Sequence, residues 1–141
     1  MANKVSNTIS FQGRSGAYSE LASHLAYPRM GTLPTPAFED TFAAVRDGSA
    51  RYAMIPIEIS VAGRVADIHR LMPDSGLSIV AEHFLRVNHH LLAPPGATLT
   101  TVRTVHSHVH ALGQCGKLIA KLGLDAIIHA DTAGAAAEIA A

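Results

Sequence analysis

A repeated order of apolar run, short loop and amphipathic stretch is the feature that most constrains the fold of this 141-residue chain. The first three predicted strands are residues 9–11, 33–37 and 52–57. Each is followed by apolar side chains at the i, i+3, i+4 spacing of a helix, beginning at Tyr18, Phe38 and Val65. Strands that alternate with helices in this way predict a parallel sheet with right-handed crossovers.

The same order resumes in the last third of the chain. A strand over 102–106 leads through Ser107, a predicted N-cap, into a helix that ends at Gly123. A further strand over 125–130 leads into an alanine-rich helix that runs to the end of the chain. Two more strand–helix units are therefore predicted.

Residues 77–93 separate these two groups and contain neither glycine nor proline. The stretch is too long for one typical strand, so we predict two extended segments that cross from one lobe into another. The sequence therefore predicts an α/β protein of two lobes, with mostly parallel sheets. The first lobe is expected to cover residues 1–79, and the second, residues 80–141, is expected to be incomplete.

The composition excludes several partners and settings. Lysine and arginine together number 11, as do aspartate and glutamate, so the formal net charge is zero. Without a basic run to neutralise a phosphate backbone, the chain is not expected to bind nucleic acid. No apolar stretch reaches the roughly 18 residues of a membrane span, and residues 1–10 lack the apolar core of a secretory signal. The single cysteine excludes an internal disulfide and favours a reducing, cytoplasmic setting.

Glu58 and Ser60 follow the third predicted strand, just before the helix that is predicted to begin near Gly63. Open α/β sheets bind ligands at the carboxyl ends of their strands, where loops and helix N-termini converge. These residues are therefore candidates for one wall of a ligand site. The alternative is structural: Ser60 caps the helix and Glu58 points into solvent.

Hydroxyl side chains lie in four of the predicted loops between a strand and a helix. They are Ser15, Ser60, Ser107 and Thr132. Such loops combine hydroxyls, backbone N–H groups and the positive end of a helix dipole, all of which suit carboxylates. A small dianion bound between two lobes fits this pattern.

The loop that contains Gly13 and Gly16 has the spacing Gly-x-x-Gly. It lacks the third glycine of a dinucleotide fingerprint and the Lys-Ser/Thr of a nucleoside-triphosphate loop, so nucleotide binding is not predicted. The loop is either a simple turn or a helix N-terminus that accepts a carboxylate.

His106, His108 and His110 alternate along the chain and would point to one side if all three lay on a strand, as a zinc site requires. The helix predicted to begin at Ser107 interrupts that alternation, and no acidic residue or cysteine lies close by in sequence. We therefore predict no metal, and expect a histidine here to contact substrate or face solvent. Cys115 lies on the apolar face of a helix, which favours a small buried residue over a nucleophile.

Four groups of short motifs occur in order along the chain. They are Phe11-Gln12-Gly13 with Gly16-Ala17-Tyr18-Ser19, Pro56-Ile57-Glu58 with Ser60 and Gly63, Ser107-His108 with Gln114-Cys115, and Asp131-Thr132-Ala133-Gly134. In these motifs the chain, from about Ile9 to its end, resembles prephenate dehydratase, which converts prephenate to phenylpyruvate on the route to phenylalanine. The resemblance implies two lobes like those of a type II periplasmic binding protein, a substrate in the cleft, no metal or cofactor, and a dimer.

Position by position, the resemblance implies six residues that hold the substrate: Ser60, Gly63, Ser107, Thr132, Ala133 and Gly134. Glu58 and His108 are candidates for a catalytic role. The chain departs from the family at Ile59, where the family has Asn, and at Val109-His110, where it has Pro-Gln. The family's Thr-Arg-Phe motif, whose threonine is thought to assist departure of the hydroxyl, is not in this chain. We therefore expect impaired dehydratase activity.

Other functions and partners stay open at this point. Arogenate is an alternative substrate to prephenate. A second hypothesis is a non-catalytic two-lobe module that binds a small carboxylic acid, and a third is a structural piece that only associates. We expect a homodimer or larger assembly, because an incomplete second lobe leaves a sheet edge and an apolar helix face uncovered.

Overall fold

The computed structural model describes residues 6–60 and 63–141. The chain forms two compact units, Met1–Arg86 and Val87–Ala141, which are called the first and the second unit below. The predicted division into lobes after residue 79 stays a prediction. Within the described residues, no helix is long and apolar enough to cross a membrane.

The first unit is built on a parallel sheet of three strands. They are β1 (Thr8–Gln12), β2 (Gly31–Thr35) and β3 (Tyr52–Met54), and their order across the sheet is β2-β1-β3. The helices that follow them in sequence are α1 (Tyr18–Ala26), α2 (Phe38–Arg46) and α3 (Ala66–Leu71). The predicted α/β fold with parallel strands is thereby confirmed.

The central strand β1 is buried on both of its faces. Ile9, Ser10 and Phe11 are consecutive and at most 1% exposed, which is the burial expected of a parallel strand covered on both sides. The hydroxyl of Ser10 donates to the carbonyl of Thr41 at 2.9 Å, so its polar group is satisfied inside the core. Phe42 of α2 is also buried and contributes to this core.

A short hairpin, which the sequence did not predict, follows β3. Its strands β4 (Glu58–Ile59) and β5 (Gly63–Arg64) are antiparallel. The predicted strand over 52–57 therefore ends earlier, and the helix expected near Gly63 begins at Ala66. Two features explain this. Pro56 has no N–H to donate to a ladder, and Gly63 has a φ of +79°, which a helix cannot contain but a chain reversal can.

The second unit has a parallel pair of strands and two helices. They are β6 (Thr104–Ser107), α4 (Val109–Leu122), β7 (Asp125–Ile128) and α5 (Thr132–Ala140). Gly123, in the left-handed conformation, ends α4 as the sequence predicted. Every residue of β7 is exposed, and Ile128 retains 70% of its accessible surface. The described residues thus leave much of this strand uncovered.

Residues 77–93 form neither a helix nor a strand. The two extended segments predicted there are therefore not present as strands. A strand requires a partner that completes its ladder of hydrogen bonds, and this stretch pairs with no strand in the described part of the chain. Most of its apolar side chains are exposed to solvent, Phe84 at 89% exposure, while Leu77 and Leu85 are half-buried.

Candidate functional site

The carboxyl ends of β6 and β7 bring two of the predicted loops together in the second unit. The two strands are parallel, so both end at the same edge, where Ser107 lies opposite Ile128. The N–H of His129 donates to the carbonyl of Ser107 at 2.8 Å, which ties the loop before α5 to the end of β6. Ser107 and the Thr132 segment are therefore neighbours.

His108, and not Ser107, caps α4. Ser107 is the last residue of β6, and its backbone carbonyl is used in pairing with the β7 side. The Nδ1 atom of His108 accepts a hydrogen bond from the N–H of His110 at 3.3 Å. This corrects the N-cap predicted at Ser107.

The imidazole of His108 is held in its neutral form. Burial lowers its pKa first, and the nearby His110 lowers it further, while the carboxylate of Asp131 acts in the opposite direction. Because Nδ1 accepts a hydrogen bond, the proton of the neutral ring is assigned to Nε2. His108 can therefore donate one hydrogen bond to a ligand while carrying no charge.

Hydrogen bonds that involve the side chains of Asp131 and His129 fix the start of α5. A carboxylate oxygen of Asp131 accepts the N–H of Gly134, and Nδ1 of His129 lies 3.0 Å from the carbonyl of Asp131. The other ring nitrogen of His129 lies 3.1 Å from the carboxylate of Glu138. A Cβ at position 134 would lie 2.8 Å from one Asp131 oxygen and 3.0 Å from the His129 ring. A larger residue at this position would therefore require the side chains of Asp131 and His129 to move.

The hydroxyls at this edge make no hydrogen bond within residues 6–60 and 63–141. This is true of Ser107, which is half-buried, and of Thr132, which is exposed at the first position of α5. Ala133 is half-buried and Gly134 is buried beside them. The structure thus gathers five predicted residues, including His108, at one sheet edge with two hydroxyls and a neutral imidazole.

The loop after β1 in the first unit has a carboxylate of its own. Glu20 accepts the N–H of Gly16 at 2.7 Å, the hydroxyl of Ser15 at 3.2 Å and the hydroxyl of Thr32 at 2.9 Å. The Gly16 hydrogen bond is the main reason why the pKa of Glu20 lies below its usual value. The carboxylate at this helix N-terminus is therefore that of Glu20, a residue of the chain itself. The Ser15 hydroxyl already donates its hydrogen bond to Glu20.

Glu58, Ser60 and Gly63 lie together on the hairpin of the first unit. In the register of the hairpin, Glu58 lies opposite Arg64 and Ile59 lies opposite Gly63. Glu58 is exposed and Ile59 is half-buried. Ser60 is exposed in the turn and does not cap α3, whose N-cap is Val65. The structural alternative for Ser60 is therefore wrong, because the hairpin separates it from the helix.

The described part of the chain contains no group of three His, Cys, Asp or Glu side chains that could hold a metal ion. His106 lies on β6 with its ring nitrogen 3.1 Å from the hydroxyl of Thr104. The rings of His108 and His110 lie 5.0 Å apart at the start of α4. Cys115 is a half-buried free thiol on that helix.

A shallow pocket of about 230 Å³ lies elsewhere in the first unit. Its lining residues are Glu39, Phe42, Arg46, Arg70, Leu71, Asp74 and Ser75. None of them is a predicted site residue, and Arg70 already pairs with Glu39 at 3.1 Å. We therefore place the candidate site at the sheet edge, where unbonded hydroxyls converge, and not in this pocket.

Sequence reasoning missed the residues whose side chains hold the loops at the helix starts in place. Asp131 was identified only as part of a motif, although an aspartate directly before a run of helix formers is a typical N-cap signal. His129 and Glu138 gave no signal, because their pairing joins a loop to the second turn of a helix. Glu20 was missed although its main partner, the N–H of Gly16, is local, and a Glu three residues after the N-cap Ala17 is a typical helix-start signal.

These features define an α/β protein with parallel sheets whose hydroxyls, backbone N–H groups and helix N-termini meet at the carboxyl ends of strands. The family model for prephenate dehydratase matches residues 9–141. The chain belongs to the prephenate dehydratase family.

Relatives with high similarity carry two kinds of name. The chain is 54% identical over 128 residues to a bifunctional N-acyl-homoserine lactone acylase/prephenate dehydratase of Komagataeibacter europaeus, covering 91% of this chain and 46% of the relative. It is 41% identical over 132 residues to arogenate dehydratase/prephenate dehydratase 2, chloroplastic, of Arabidopsis thaliana, covering 94% and 35%. The chain thus spans less than half the length of these relatives.

Two solved structures share the fold. A prephenate dehydratase from Arthrobacter aurescens, determined in complex with L-Phe, matches with a TM-score of 0.84 and 27% identity, over 94% of this chain and 45% of that one. A protein described as a novel type of quorum quenching acylase matches with a TM-score of 0.79 and 52% identity, over 94% and 48%.

Proposed function

We propose that this chain carries the substrate-binding part of a prephenate dehydratase. The observation that supports the proposal is the sheet edge of the second unit. There the unbonded hydroxyls of Ser107 and Thr132, the N-terminus of α5 and the neutral ring of His108 converge. Hydroxyls and a positive helix end are suited to the carboxylates of prephenate.

The reaction balances without a redox partner. The bond between the ring and its carboxylate breaks and releases CO2, and the electron pair moves into the ring. The bond between the ring and the para hydroxyl breaks, and the oxygen leaves as water after it gains a proton from the solvent. Since aromatisation drives both steps, the protein mainly has to orient two carboxylates and polarise the hydroxyl.

We propose individual roles for the residues of the second unit. Ser107 and Thr132 donate hydrogen bonds to a carboxylate, and the backbone at Ala133 and Gly134 lines the start of α5. The Nε2–H of His108 donates to the departing hydroxyl and polarises it. A neutral donor suits this place, because the nearby Asp131 carboxylate already supplies negative charge.

For the first unit by itself, we propose from the family resemblance that its hairpin carries substrate-binding residues. Ser60 and Gly63 lie at its turn, and Glu58 is exposed on it as a candidate for proton transfer. Ile59 cannot donate a hydrogen bond, so its replacement of the family's Asn weakens polar contact at this position. We further propose that the chain works in the cytoplasm, the setting that its single cysteine favours.

Calorimetric titration of the 141-residue chain with prephenate tests the binding role, and spectroscopic assay of phenylpyruvate tests turnover. Thr132→Val is expected to weaken prephenate binding about tenfold or more, since a hydrogen bond to a charged group contributes about 1.5 to 3 kcal/mol. Ser15→Ala is the matched control, because that hydroxyl already donates to Glu20. Equal effects of the two substitutions would place the substrate elsewhere.

Turnover by the 141-residue chain is expected to be well below the 1 to 1,000 per second of ordinary enzymes, since it spans less than half of its relatives. Binding of prephenate without turnover is therefore expected under both hypotheses, and equal affinity for unrelated small carboxylic acids would favour the alternative of a general acid-binding module. Arogenate, measured in the same titration, decides between the two substrates named in the plant relatives.

Hydrolysis of N-acyl-homoserine lactones is a second candidate function. The observation that favours it is the identity of 54% and 52% to two proteins whose names include an acylase activity. Release of free homoserine lactone from an acylated substrate, followed by mass spectrometry, tests it. Activity on the acylated lactone that Thr132→Val leaves intact would separate this site from the prephenate site.

A further inference from the structure

The imidazole of His129 lies between two hydrogen-bond acceptors. Its Nε2 atom lies 3.1 Å from a carboxylate oxygen of Glu138, and its Nδ1 atom lies 3.0 Å from the carbonyl oxygen of Asp131. A neutral imidazole has one N–H donor, whereas the protonated ring has two. Only the protonated ring therefore donates to both acceptors.

The neutral ring fits these surroundings less well in either of its two forms. With its proton on Nδ1, the ring sets the lone pair of Nε2 against the carboxylate of Glu138. With its proton on Nε2, Nδ1 has to accept from the N–H of Asp131, which lies 3.3 Å away, farther than the carbonyl of the same residue. The contacts of His129 therefore favour a positively charged ring.

This ring lies against the first turn of α5. A Cβ at Gly134 would lie 3.0 Å from its Cε1 atom. A positive charge beside a helix N-terminus is unfavourable by itself, because the free N–H groups there carry partial positive charge. The carboxylates of Glu138 and Asp131 offset part of this repulsion, and a carboxylate bound at the helix start would offset more of it.

Positive side chains are scarce at this sheet edge. The two loops that meet there, residues 107–110 and 129–134, contain no lysine or arginine, so a cation in them has to be a histidine. Burial lowers the pKa of His108 and keeps its ring neutral. His110 makes no ion pair within residues 6–60 and 63–141. The surroundings of His129 are thus the ones that suit a charge.

We propose that the protonated ring of His129 supplies the positive charge that holds a substrate carboxylate at the start of α5, with Glu138 as the positioning residue that keeps the ring there. This inference rests on the proposed function and extends it, because it makes prephenate binding depend on a proton. Affinity for prephenate falls as pH rises and the ring loses its proton.

Calorimetric titration with prephenate from about pH 5 to about pH 8, the range in which histidines titrate, tests this charge. The unsubstituted chain is expected to bind more weakly as pH rises. His129→Gln keeps a donor for Glu138 but carries no charge. It is expected to bind about tenfold more weakly at the acidic end of the range, an effect of the order that one charge produces near a protein surface. At the alkaline end the two proteins are expected to converge.

Other titratable groups at this edge also contribute to the pH profile, so the difference between two proteins is the decisive quantity. These groups are Glu138 of α5, Asp131 of the loop, His108 and His110 at the start of α4, and His106 of β6. His106→Gln is the matched control, because the ring nitrogen of His106 lies 3.1 Å from the hydroxyl of Thr104 on the same strand. Its profile is expected to match that of the unsubstituted chain.

Two further variants separate the charge of the ring from its structural contacts. Arginine stays charged across this pH range, so His129→Arg is expected to retain tight binding at the alkaline end, which the loss of a structural contact cannot produce. Glu138→Gln keeps an acceptor for Nε2 and removes the carboxylate, so the decline in affinity is expected at lower pH. Because Glu138 is exposed, this change is expected to leave thermal unfolding nearly unaltered.

Nitrogen-15 NMR of the His129 imidazole provides a measurement without substitution at the site. Both ring nitrogens are expected to carry a proton in the prephenate complex at the acidic end of the range, and a neutral ring there overturns the inference. A His129→Gln profile that coincides with that of the unsubstituted chain, while prephenate binds, also overturns it and leaves the proposed function standing. Absence of prephenate binding at every pH overturns both, so the two failures are distinguishable.

Discussion

The first strand–helix loop of the first unit and the last one of the second unit have similar sequence patterns and different chemistry. In the first unit, Glu20 takes the loop N–H and the hydroxyl of Ser15. In the second unit, Asp131 takes the N–H of Gly134 and leaves the hydroxyl of Thr132 unbonded within the described residues. We infer that a loop of this kind is available to a ligand only where its hydroxyl is not hydrogen-bonded within the chain. Position relative to the helix start decides this, because Glu20 folds back from inside α1 while Asp131 precedes α5.

The largest expected effect comes from Gly134→Ala. Its Cβ would lie 2.8 Å from the Asp131 carboxylate, so the side chain that caps α5 has to move. We expect a loss of about 1 to 3 kcal/mol in the free energy of unfolding, measured by denaturant titration, together with weaker prephenate binding. Gly116→Ala is the control, because a Cβ there meets no atom within 4 Å, and alanine in a helix is expected to be neutral or stabilising by up to about 1 kcal/mol.

The next largest effects are expected at Asp131, where two substitutions distinguish the role of the helix cap from the role of its negative charge. Asp131→Ala removes the N-cap of α5 and is expected to cost about 1 kcal/mol of stability in thermal unfolding. Asp131→Asn keeps a cap and removes the negative charge, so it is expected to retain stability and to bind prephenate more tightly. Weaker anion binding by Asp131→Asn would show that the carboxylate of Asp131 does not face the ligand.

The pH dependence of stability sharpens the comparison at His108. Its pKa lies below the ordinary 6.5, so the unfolded chain binds more protons than the folded one between the two values. The contribution of His108 to stability is present above about pH 6.5 and is lost as pH falls through the lowered pKa of the folded state. His108→Asn keeps a helix cap and does not titrate, so its unfolding free energy is expected to lack this decline. Superimposable pH profiles for the two proteins would contradict the burial of the ring.

The smallest effect is expected for Glu20→Gln. The pKa of Glu20 is depressed by the Gly16 N–H, so its stabilising contribution is present above the ordinary value of 4.5 and is lost as pH falls through the depressed value. The change at pH 7 is expected to be about 1 kcal/mol or less, since the group is partly open to solvent. Asp125→Asn, at an exposed position of β7, is the control. If Glu20→Gln also creates a new site for prephenate, the first loop differs from the last only by its internal carboxylate.

The hydrophobic pattern of the chain predicted the two groups of strand–helix units because short apolar runs mark the strands and apolar residues at helical spacing mark the helices. The helix end at Gly123 and the parallel strands β1, β2 and β3 followed from it directly. The motifs at Ser107-His108 and Asp131-Gly134 marked the sheet edge, since parallel strands end on one side. Family membership could be predicted as well, because these motifs occur in order along the chain.

Only the tertiary structure decided which of the marked groups remain available. Three such details depend on local backbone geometry: the hairpin that separates Ser60 from α3, the His108 cap on α4, and the hydrogen bond from the Ser15 hydroxyl to Glu20. The Glu138 side chain, which fixes His129 from the second turn of α5, is another such detail. A one-dimensional pattern reports which face is apolar, whereas the backbone geometry of the loops determines which hydroxyls are hydrogen-bonded within the chain and which remain unbonded.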